Sequence, residues 1–219
     1  LHDALPIYGM DMIALTDHNS CKNCRAAVRA GEEAGVTVVP GMELTTSEEA
    51  HVVCLFPTVE QAEAFGDYVE SRSPEIRNRP EIFGDQLIMD WQDEVVGRVS
   101  RLLINASSIS VGELPGLMAE FGGAAFPAHI DHDSYSVISS LGAIPAEAEF
   151  HAAEISGKGD KELLLKRYPE LQDMILLLDS DAHYLDWLKE RRPWLDLPEK
   201  TARCLVDALN GKIQVKWER

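Results

Sequence analysis

The link between two neighbouring strands constrains this fold more than any other feature of the sequence. Residues 36–44 are typical of a buried, β-branched strand, and the next strand-like run covers residues 51–56. A parallel connection needs a dozen or more residues, so the second strand should turn back antiparallel to the first. Glu43, at the end of one strand, and His51, at the start of the other, should then lie at the same edge of the sheet.

Short apolar strands alternate with helices along the rest of the chain. A strand at residues 11–15 and a helix at residues 21–34 precede the strand already described, which makes a β-α-β unit with parallel strands. Asn19 or Ser20 can cap this helix at its start, and Gly35 is typical of the residue that ends it. Further strands are expected at residues 86–89, 94–99, 124–129, 152–155, 174–178 and 212–217. Further helices are expected at residues 58–72, 111–121, 161–168, 184–194 and 200–209. This alternation is typical of the α/β class.

Side chains that can bind metal ions occur where the predicted strands end. Four of the seven histidines are among them, and one of the candidates opens the antiparallel strand instead. Active sites of α/β barrels and open α/β sheets are assembled at the carboxyl edge of the strands. Imidazole nitrogens and carboxylate oxygens are common metal ligands, so the pattern predicts a metal site. The six candidate ligands are His18, Glu43, His51, His129, Asp181 and His183.

Spacing distinguishes the roles of some neighbouring side chains. In an extended segment, residues two apart point to the same face, so Asp181 and His183 can both reach a site. Asp17 and His18 are adjacent and should diverge. We assign the ligand role to His18, with Asp17 orienting it or capping the following helix. A single Asp-x-His could equally be a turn at the end of a strand, but six such residues together favour a site.

Several other residues carry weaker signals. Cys21 and Cys24 form a C-x-x-C at a helix start, which suits zinc or redox chemistry, but no second such pair exists and incidental cysteines are favoured. Lys158, in a glycine-flanked loop, could contact phosphate or simply be a solvated lysine. His132 could extend the histidine cluster or lie in a solvent-exposed loop, and Glu154 is expected near the wall of the site.

Charge and hydropathy limit the partners of the chain. Its 20 Lys and Arg against 37 Asp and Glu give a net charge of −17, which argues against a sequence-independent nucleic-acid clamp and against an anionic membrane surface. No apolar run approaches the roughly 20 residues of a spanning helix, and no signal-peptide pattern opens the sequence. Cys54 and Cys204 fall in apolar patterns that suit buried thiols, so a cytoplasmic location is expected.

Five short motifs resemble those of the polymerase-and-histidinol-phosphatase (PHP) family of metal-dependent phosphoesterases, in the family's order. They are Thr16-Asp17-His18-Asn19, Gly41-Met42-Glu43, His51-Val52-Val53, Pro127-Ala128-His129-Ile130-Asp131 and Asp179-Ser180-Asp181-Ala182-His183. The resemblance covers about residues 9–211. It implies a distorted, TIM-like β/α barrel with two or three divalent ions, which are zinc, manganese or iron, at the C-terminal edge of the strands.

The resemblance also assigns the ligands by position. It makes Glu43 a bridging carboxylate. One metal would be completed by His51 and His129, a second by Asp181, and a third would be held by His18 and His183.

The beginning of the sequence departs from the PHP pattern. The family opens with a strand that carries His-x-His, whereas residues 1–10 contain only His2 and Asp3. We expect a truncation upstream of this first motif, so that the barrel lacks its first strand. Residues 1–8 would then lie outside the domain or be foreign to it. Residues 9–219 would form a single PHP-like domain with an insertion at about 57–126.

The resemblance implies hydrolysis of a phosphomonoester or phosphodiester by metal-bound hydroxide, without a side-chain nucleophile. The negative charge favours a small phosphorylated molecule or nucleotide as substrate over long nucleic acid. One alternative is a catalytically inactive PHP-like module that binds metal or a partner. Another is a metal-dependent amidohydrolase. The truncated chain is expected to be a poor enzyme.

Overall fold

The computed structural model describes residues 9–157, 159–184, 187 and 194–217. Its strands are β1 (Met12–Leu15), β2 (Thr37–Thr45), β3 (His51–Leu55), β4 (Leu87–Met89), β5 (Val95–Arg98), β6 (Ala124–Pro127), β7 (Ala152–Glu154), β8 (Ile175–Leu177), β9 (Leu195–Asp196) and β10 (Lys216–Trp217). Its helices are α1 (Cys24–Ala34), α2 (Val59–Ser71), α3 (Pro80–Phe83), α4 (Leu114–Phe121), α5 (Val137–Leu141), α6 (Lys161–Arg167) and α7 (Ala202–Leu209). The N-terminal segment 1–8 and most of the helix expected at 184–194 lie outside these residues.

The central sheet contains the two strands joined by the short link. Its order is β1-β2-β3-β6, with β1 parallel to β2 and the other neighbours antiparallel. The helix α1 makes the crossover from β1 to β2 and ends at Gly35, whose φ of 73° is left-handed. A β-carbon on Gly31 would lie 2.4 Å from a methyl group of Val38, so glycine is needed where α1 crosses β2. The predicted β-α-β unit and the antiparallel return are both confirmed.

Strands β7 and β8 form a parallel pair beside the central sheet. The amide of Ile130, just after β6, donates a hydrogen bond to the carbonyl of Glu154 in β7 (2.9 Å). The described strands therefore form one four-stranded sheet and three two-stranded pairs, and no closed barrel is found among them. The mixed α/β class is confirmed.

Apolar side chains cover both faces of the central sheet. Along β3, Val52 and Cys54 belong to one buried cluster, whereas Val53 and Leu55 belong to another. This alternation is expected of a strand that is buried on both faces. Helices α2 and α4 contribute to the first cluster, and α7 contributes to the second. The sheet is thus held between two layers, which leaves its carboxyl edge for the candidate site.

Three local expectations were wrong. Helix α1 begins at Cys24 rather than at residue 21, and neither Asn19 nor Ser20 caps it. The side chain of Asn19 is instead used in long-range hydrogen bonds, which a local pattern does not reveal. Strand β2 continues to Thr45, so Glu43 lies two residues before the strand ends and pairs with Val53.

The C-terminal strand and the helix expected at residues 111–121 also differ from expectation. Only Lys216–Trp217 of the expected strand at 212–217 is paired. The expected helix is divided into a 3-10 turn at Val111–Glu113 and α4, because proline is accepted only in the first turn of a helix. None of the helices in the described part of the chain has the length and apolar character that a bilayer crossing requires.

Phe65 in α2 offers a test of the core. It is fully buried, and its ring lies 5.1 Å from that of Phe56 and 5.5 Å from that of Phe121. Phe65→Ala should lower the free energy of unfolding by about 3–5 kcal/mol, because it leaves a cavity between these rings. Urea denaturation measures the change. The exposed Phe83 supplies the control, since Phe83→Ala should cost less than about 1 kcal/mol. Equal losses in the two variants would contradict the assignment.

Candidate metal centre

A buried carboxylate surrounded by imidazoles forms the centre of the site. Glu43 is only 6 % exposed. One of its oxygens, Oε1, lies 2.9 Å from Nδ1 of His51 and 3.3 Å from Nε2 of His129. The other oxygen, Oε2, lies 3.4 Å from Nδ1 of His18. Four of the six predicted ligands, far apart in the sequence, therefore meet at one point.

Backbone hydrogen bonds place His18 against Glu43. The loop that follows β1 forms an isolated parallel bridge to β2 between these two residues. The amide of Glu43 donates to the carbonyl of Asp17 (3.2 Å), and the amide of Asn19 donates to the carbonyl of Glu43 (3.0 Å). The ligand loop is thus an extension of the sheet. The position of His18 follows from strand pairing and not from a free loop.

Strand pairing also brings His51 and His129 together. His51 is the first residue of β3, and His129 lies two residues beyond the end of β6, which pairs antiparallel with β3. The amide of Ala128 donates to the carbonyl of His51 (3.1 Å). Nδ1 of His51 and Nε2 of His129 are 3.3 Å apart. Two imidazoles therefore reach the same oxygen of Glu43 from neighbouring strands.

Asp181 and His183 lie at the exposed margin of this cluster. The ring of His183 is 5.9 Å from the ring of His18, and its Nδ1 is 3.7 Å from Oδ1 of Asp181. The expected extended geometry was wrong, because Asp181 has a left-handed φ of 42°. The two side chains meet through a bend that follows β8.

Asp17 points to a different partner from His18. Its carboxylate accepts a hydrogen bond from the side-chain amide of Asn23 (3.0 Å). The same side chain of Asn23 donates to the carbonyl of Leu87 and accepts from the amide of Met89, both in β4. Asn23 therefore links Asp17, in the loop that carries His18, to the β4–β5 hairpin. Burial raises the pKa of its carboxyl group.

The C-x-x-C cysteines are not part of the imidazole cluster. Both thiols, of Cys21 and Cys24, are buried and donate to the carbonyl of Gly41 (3.3 Å each). A hydrogen bond with Cys24, together with burial, raises the pKa of Cys21, so it is a poor thiolate. Lys158, the weak candidate for phosphate binding, lies outside the described residues.

Solved structures share this architecture. Endonuclease Q from Pyrococcus furiosus, a lesion-specific endonuclease, matches with a TM-score of 0.63 and 15 % identity, over 95 % of this chain and 50 % of that one. An endonuclease Q complex with a 27-mer duplex that carries an abasic lesion at the active site matches with a TM-score of 0.63 and 14 % identity, over 98 % and 52 %. The chain thus spans about half the length of these endonuclease Q chains.

A third structure, from Bifidobacterium adolescentis, is described as a candidate metal-dependent phosphoesterase. It matches with a TM-score of 0.54 and 18 % identity, over 82 % of this chain and 79 % of that one. This chain has a PHP-type fold. The resemblance found in the five motifs is therefore supported by the architecture. No protein-family model matches the sequence, and a search among curated proteins finds no match.

On this PHP-type fold the protonation states of Glu43 and His18 suit metal ligation. Burial raises the pKa of Glu43, but hydrogen bonds from His129 and His51 outweigh it and hold the pKa below its usual value. Burial lowers the pKa of His18 more than the Glu43 charge raises it. Burial lowers the pKa of His129 too, yet there the hydrogen bond to Glu43 prevails and raises it. Glu43 is thus ionised and His18 neutral, as a metal ligand must be.

Glu154 and Asp179 add a carboxyl pair that the sequence did not assign to the centre. Glu154 ends β7 and is 4 % exposed, and its side chain is hydrogen-bonded to that of the exposed Asp179. Burial and the charges of Asp179, Asp181 and Glu43 raise the pKa of Glu154. The signal that could have found Asp179 is its position two residues before Asp181, in the same alternation that selected His183.

The residues present fit a divalent cation. Nδ1 of His18 is inaccessible to solvent and has no hydrogen-bond partner among the described residues, although it is aimed at Glu43. Ligand atoms of His18, Glu43 and His51 lie within 4.8 Å of one another. Imidazole and carboxylate donors suit zinc, manganese and iron. A cation at this point would also offset the charges of Asp179, Asp181 and Glu43, which raise the pKa of Glu154.

Replacing Glu154 with Gln tests the charge balance of the metal-free centre. In the unfolded chain the Glu154 carboxyl group ionises near pH 4.5. In the folded chain it stays protonated to a higher pH. The unfolded state then binds fewer protons, so stability should fall as pH rises above 4.5. Glu154→Gln removes this loss. The Glu154→Gln variant should therefore be more stable than the parent at pH 8 and about as stable at pH 4. Each kcal/mol gained should raise the melting temperature by about 2–4 °C.

Thermal unfolding in the presence of a chelator measures this difference. Glu147→Gln, at an exposed glutamate, is the matched control and should leave the pH profile of the parent unchanged. A parent that is more stable than Glu154→Gln at pH 8 would show that Glu154 is ionised in the metal-free fold.

Proposed function

We propose that this chain belongs to the PHP family and hydrolyses a phosphate ester with the help of divalent metal ions. The observation that carries the proposal is the buried Glu43 carboxylate, which contacts His18, His51 and His129 on a PHP-type fold. Three imidazoles and a carboxylate that meet at one point form a cluster of the metal-ligand type. Its donor set is that of a metal-dependent hydrolase.

The proposed ligand set follows the resemblance and the contacts. Glu43 would be shared between two of the two or three ions of zinc, manganese or iron that the chain would hold. His51 and His129 would hold one ion, Asp181 a second, and His18 and His183 a third. Asp181 and His183, which follow β8, are both exposed, as expected of ligands at the margin of the cluster.

The strand order supports the proposed barrel. The sheet β1-β2-β3-β6 is continued by the parallel pair β7-β8 through the hydrogen bond between Ile130 and Glu154. We propose that this arrangement is part of a distorted β/α barrel. We propose one domain over residues 9–219, with an insertion at about residues 57–126.

In the proposed reaction the side chains of this centre hold and orient the metal ions, and none of them serves as a nucleophile. Divalent ions, when bound, lower the pKa of water from 15.7 toward about 7 and neutralise phosphoryl oxygens. Glu43 remains ionised, and His18 presents a neutral, solvent-inaccessible nitrogen. The thiols of Cys21 and Cys24 are bonded to a backbone carbonyl and are not proposed as nucleophiles. Direct attack by water on phosphorus follows as the reaction class.

A small phosphorylated molecule or nucleotide is the proposed substrate. A cavity of about 380 Å³ lies next to the His18 loop. Its lining includes Lys22 and Arg101, but also the acidic Glu63, Asp67 and Glu70, and it contains none of the six proposed ligands. This volume falls in the range of small-ligand sites. The net charge of −17 also opposes long nucleic acid. The endonuclease Q complex, which contains an abasic duplex, favours a lesion-bearing DNA strand as the second candidate.

Removal of the central carboxylate tests the proposed reaction. Glu43→Gln should bind less metal than the parent. Its rate of hydrolysis of p-nitrophenyl phosphate or bis-p-nitrophenyl phosphate should fall at least about 100-fold, because the amide can neither bridge two cations nor balance their charge. Metal content by mass spectrometry and initial rates with added Mn²⁺ or Zn²⁺ measure both effects. Glu147→Gln is the control and should keep the parent's values. A parent that binds metal but hydrolyses neither ester is an inactive module, and one that cleaves only amides is an amidohydrolase.

A second assay distinguishes the two substrate classes. Nucleoside monophosphates and small diesters should be hydrolysed with a kcat/KM that exceeds that for a duplex with one abasic site. The reason is that a chain with this charge gains little from contacts to a polyanionic backbone. Gel analysis of the duplex and phosphate release from the small esters supply the comparison at one ionic strength. Preferential nicking of the abasic duplex would assign the site to DNA instead.

A further inference from the structure

An exposed aromatic ring covers one of the proposed ligands. The phenol ring of Tyr135 stacks on the imidazole of His51, with ring centroids 5.0 Å apart and an interplanar angle of 22°. Tyr135 is 52 % exposed, so the stack lies at the solvent side of the centre. In the same loop, His132 stacks on His129 at 4.5 Å and 19°. One loop thus covers two of the imidazoles that contact Glu43.

The backbone of this loop is fixed where the tyrosine lies. The amide of His51 donates to the carbonyl of Tyr135 (2.8 Å). The next residue, Ser136, is fully buried, and its hydroxyl donates to the carbonyl of His132 (2.8 Å) and accepts from the amide of Ser139 at the start of α5. Tyr135 itself has a left-handed φ of 56°, which is unfavourable for an aromatic residue. The ring is held over His51 at a conformational cost.

Stacking restricts a rotation that matters for ligation. The χ2 torsion of histidine is broad, so an imidazole without neighbours can turn its Nδ1 away from a ligand. In this centre Nδ1 of His51 lies 2.9 Å from Glu43, and a ring parallel to the imidazole resists that rotation. Half-exposed, the phenol ring buries little apolar area and adds little to global stability.

We propose that Tyr135 is a positioning residue that fixes the imidazole plane of His51 and thereby raises the affinity of the centre for divalent metal. The proposal rests on the metal site of the proposed function. The aromatic ring performs this role, and the hydroxyl group is not required. Groups that orient metal ligands typically contribute 10–100-fold to metal affinity or activity.

Two substitutions at Tyr135 distinguish the contribution of the aromatic ring from those of the hydroxyl group and the loop backbone. Tyr135→Gly removes the ring while glycine accepts a φ of 56° without strain, so the loop and its carbonyl bond to His51 should persist. Tyr135→Phe keeps the ring and removes the hydroxyl. Zn²⁺ affinity, from competition with a chromophoric chelator, should fall at least tenfold in Tyr135→Gly and stay within twofold in Tyr135→Phe. Phe83→Ala, at an exposed aromatic outside the site, should match the parent.

Melting temperatures measured without metal show whether a loss of Zn²⁺ affinity comes from unfolding. Tyr135→Gly should melt at or above the parent temperature, because glycine relieves the left-handed strain. Parent-like Zn²⁺ affinity in Tyr135→Gly would overturn the proposal. Equal losses in Tyr135→Gly and Tyr135→Phe would overturn it as well, since the hydroxyl would then be the active group. A higher KM with unchanged metal affinity would make the ring a substrate contact instead.

The same measurements distinguish failure of this proposal from failure of the proposed function. Zn²⁺ binding and ester hydrolysis by the parent, with no difference between the variants, would refute only the role of Tyr135. Zn²⁺ binding without hydrolysis would refute the phosphoesterase, and the affinity ratio would still decide the role of the ring. A parent that binds no Zn²⁺ would refute both.

Discussion

The buried charge of Glu43 is the constraint on which the rest of the centre depends. An ionised carboxylate that is taken out of water costs several kcal/mol unless other groups replace its hydration. In this chain the replacement comes from His51, His129 and His18, each within 3.4 Å of a carboxylate oxygen. These contacts hold the pKa of Glu43 below its usual value in spite of burial. Every element that carries one of these histidines must therefore be fixed relative to β2.

The fold meets this requirement with backbone hydrogen bonds. The His18 loop pairs with β2, His51 opens the strand next to it, and His129 follows the strand beyond. The centre is thus built across consecutive strands at one edge of a sheet whose two faces are covered by apolar layers. Sites on strand ends hold their geometry better than sites on free loops, because strand register sets the spacing of the side chains. Tyr135 and His132 then complete the solvent side.

What the sequence reveals about this chain depends on the range of the interactions. Periodicity and the glycine after α1 predict the β-α-β unit, and the short link before His51 predicts the antiparallel turn, because both depend on neighbours in sequence. Asn19 does not cap α1, since its side chain bonds to the carbonyl of Leu103, 84 residues away. The left-handed bend at Asp181 and the approach of Asp179 to Glu154 also depend on tertiary packing. Local patterns therefore selected side chains that meet at one edge of the sheet, and Glu154 beside them, but not the long-range bonds of Asn19 and Asp179.

The charge of the centre gives the proposed metal ions a second role besides activating water. The charges of Glu43, Asp179 and Asp181 lie close enough to Glu154 to raise its pKa, in a chain whose net charge is −17. A phosphate ester approaching the metal-free centre would meet a negative potential and be repelled. In the proposed function, each divalent ion would add two positive charges where the carboxylates converge and would reverse the local field. The carboxylates that attract the cations would then also be the reason that a phosphate ester can approach.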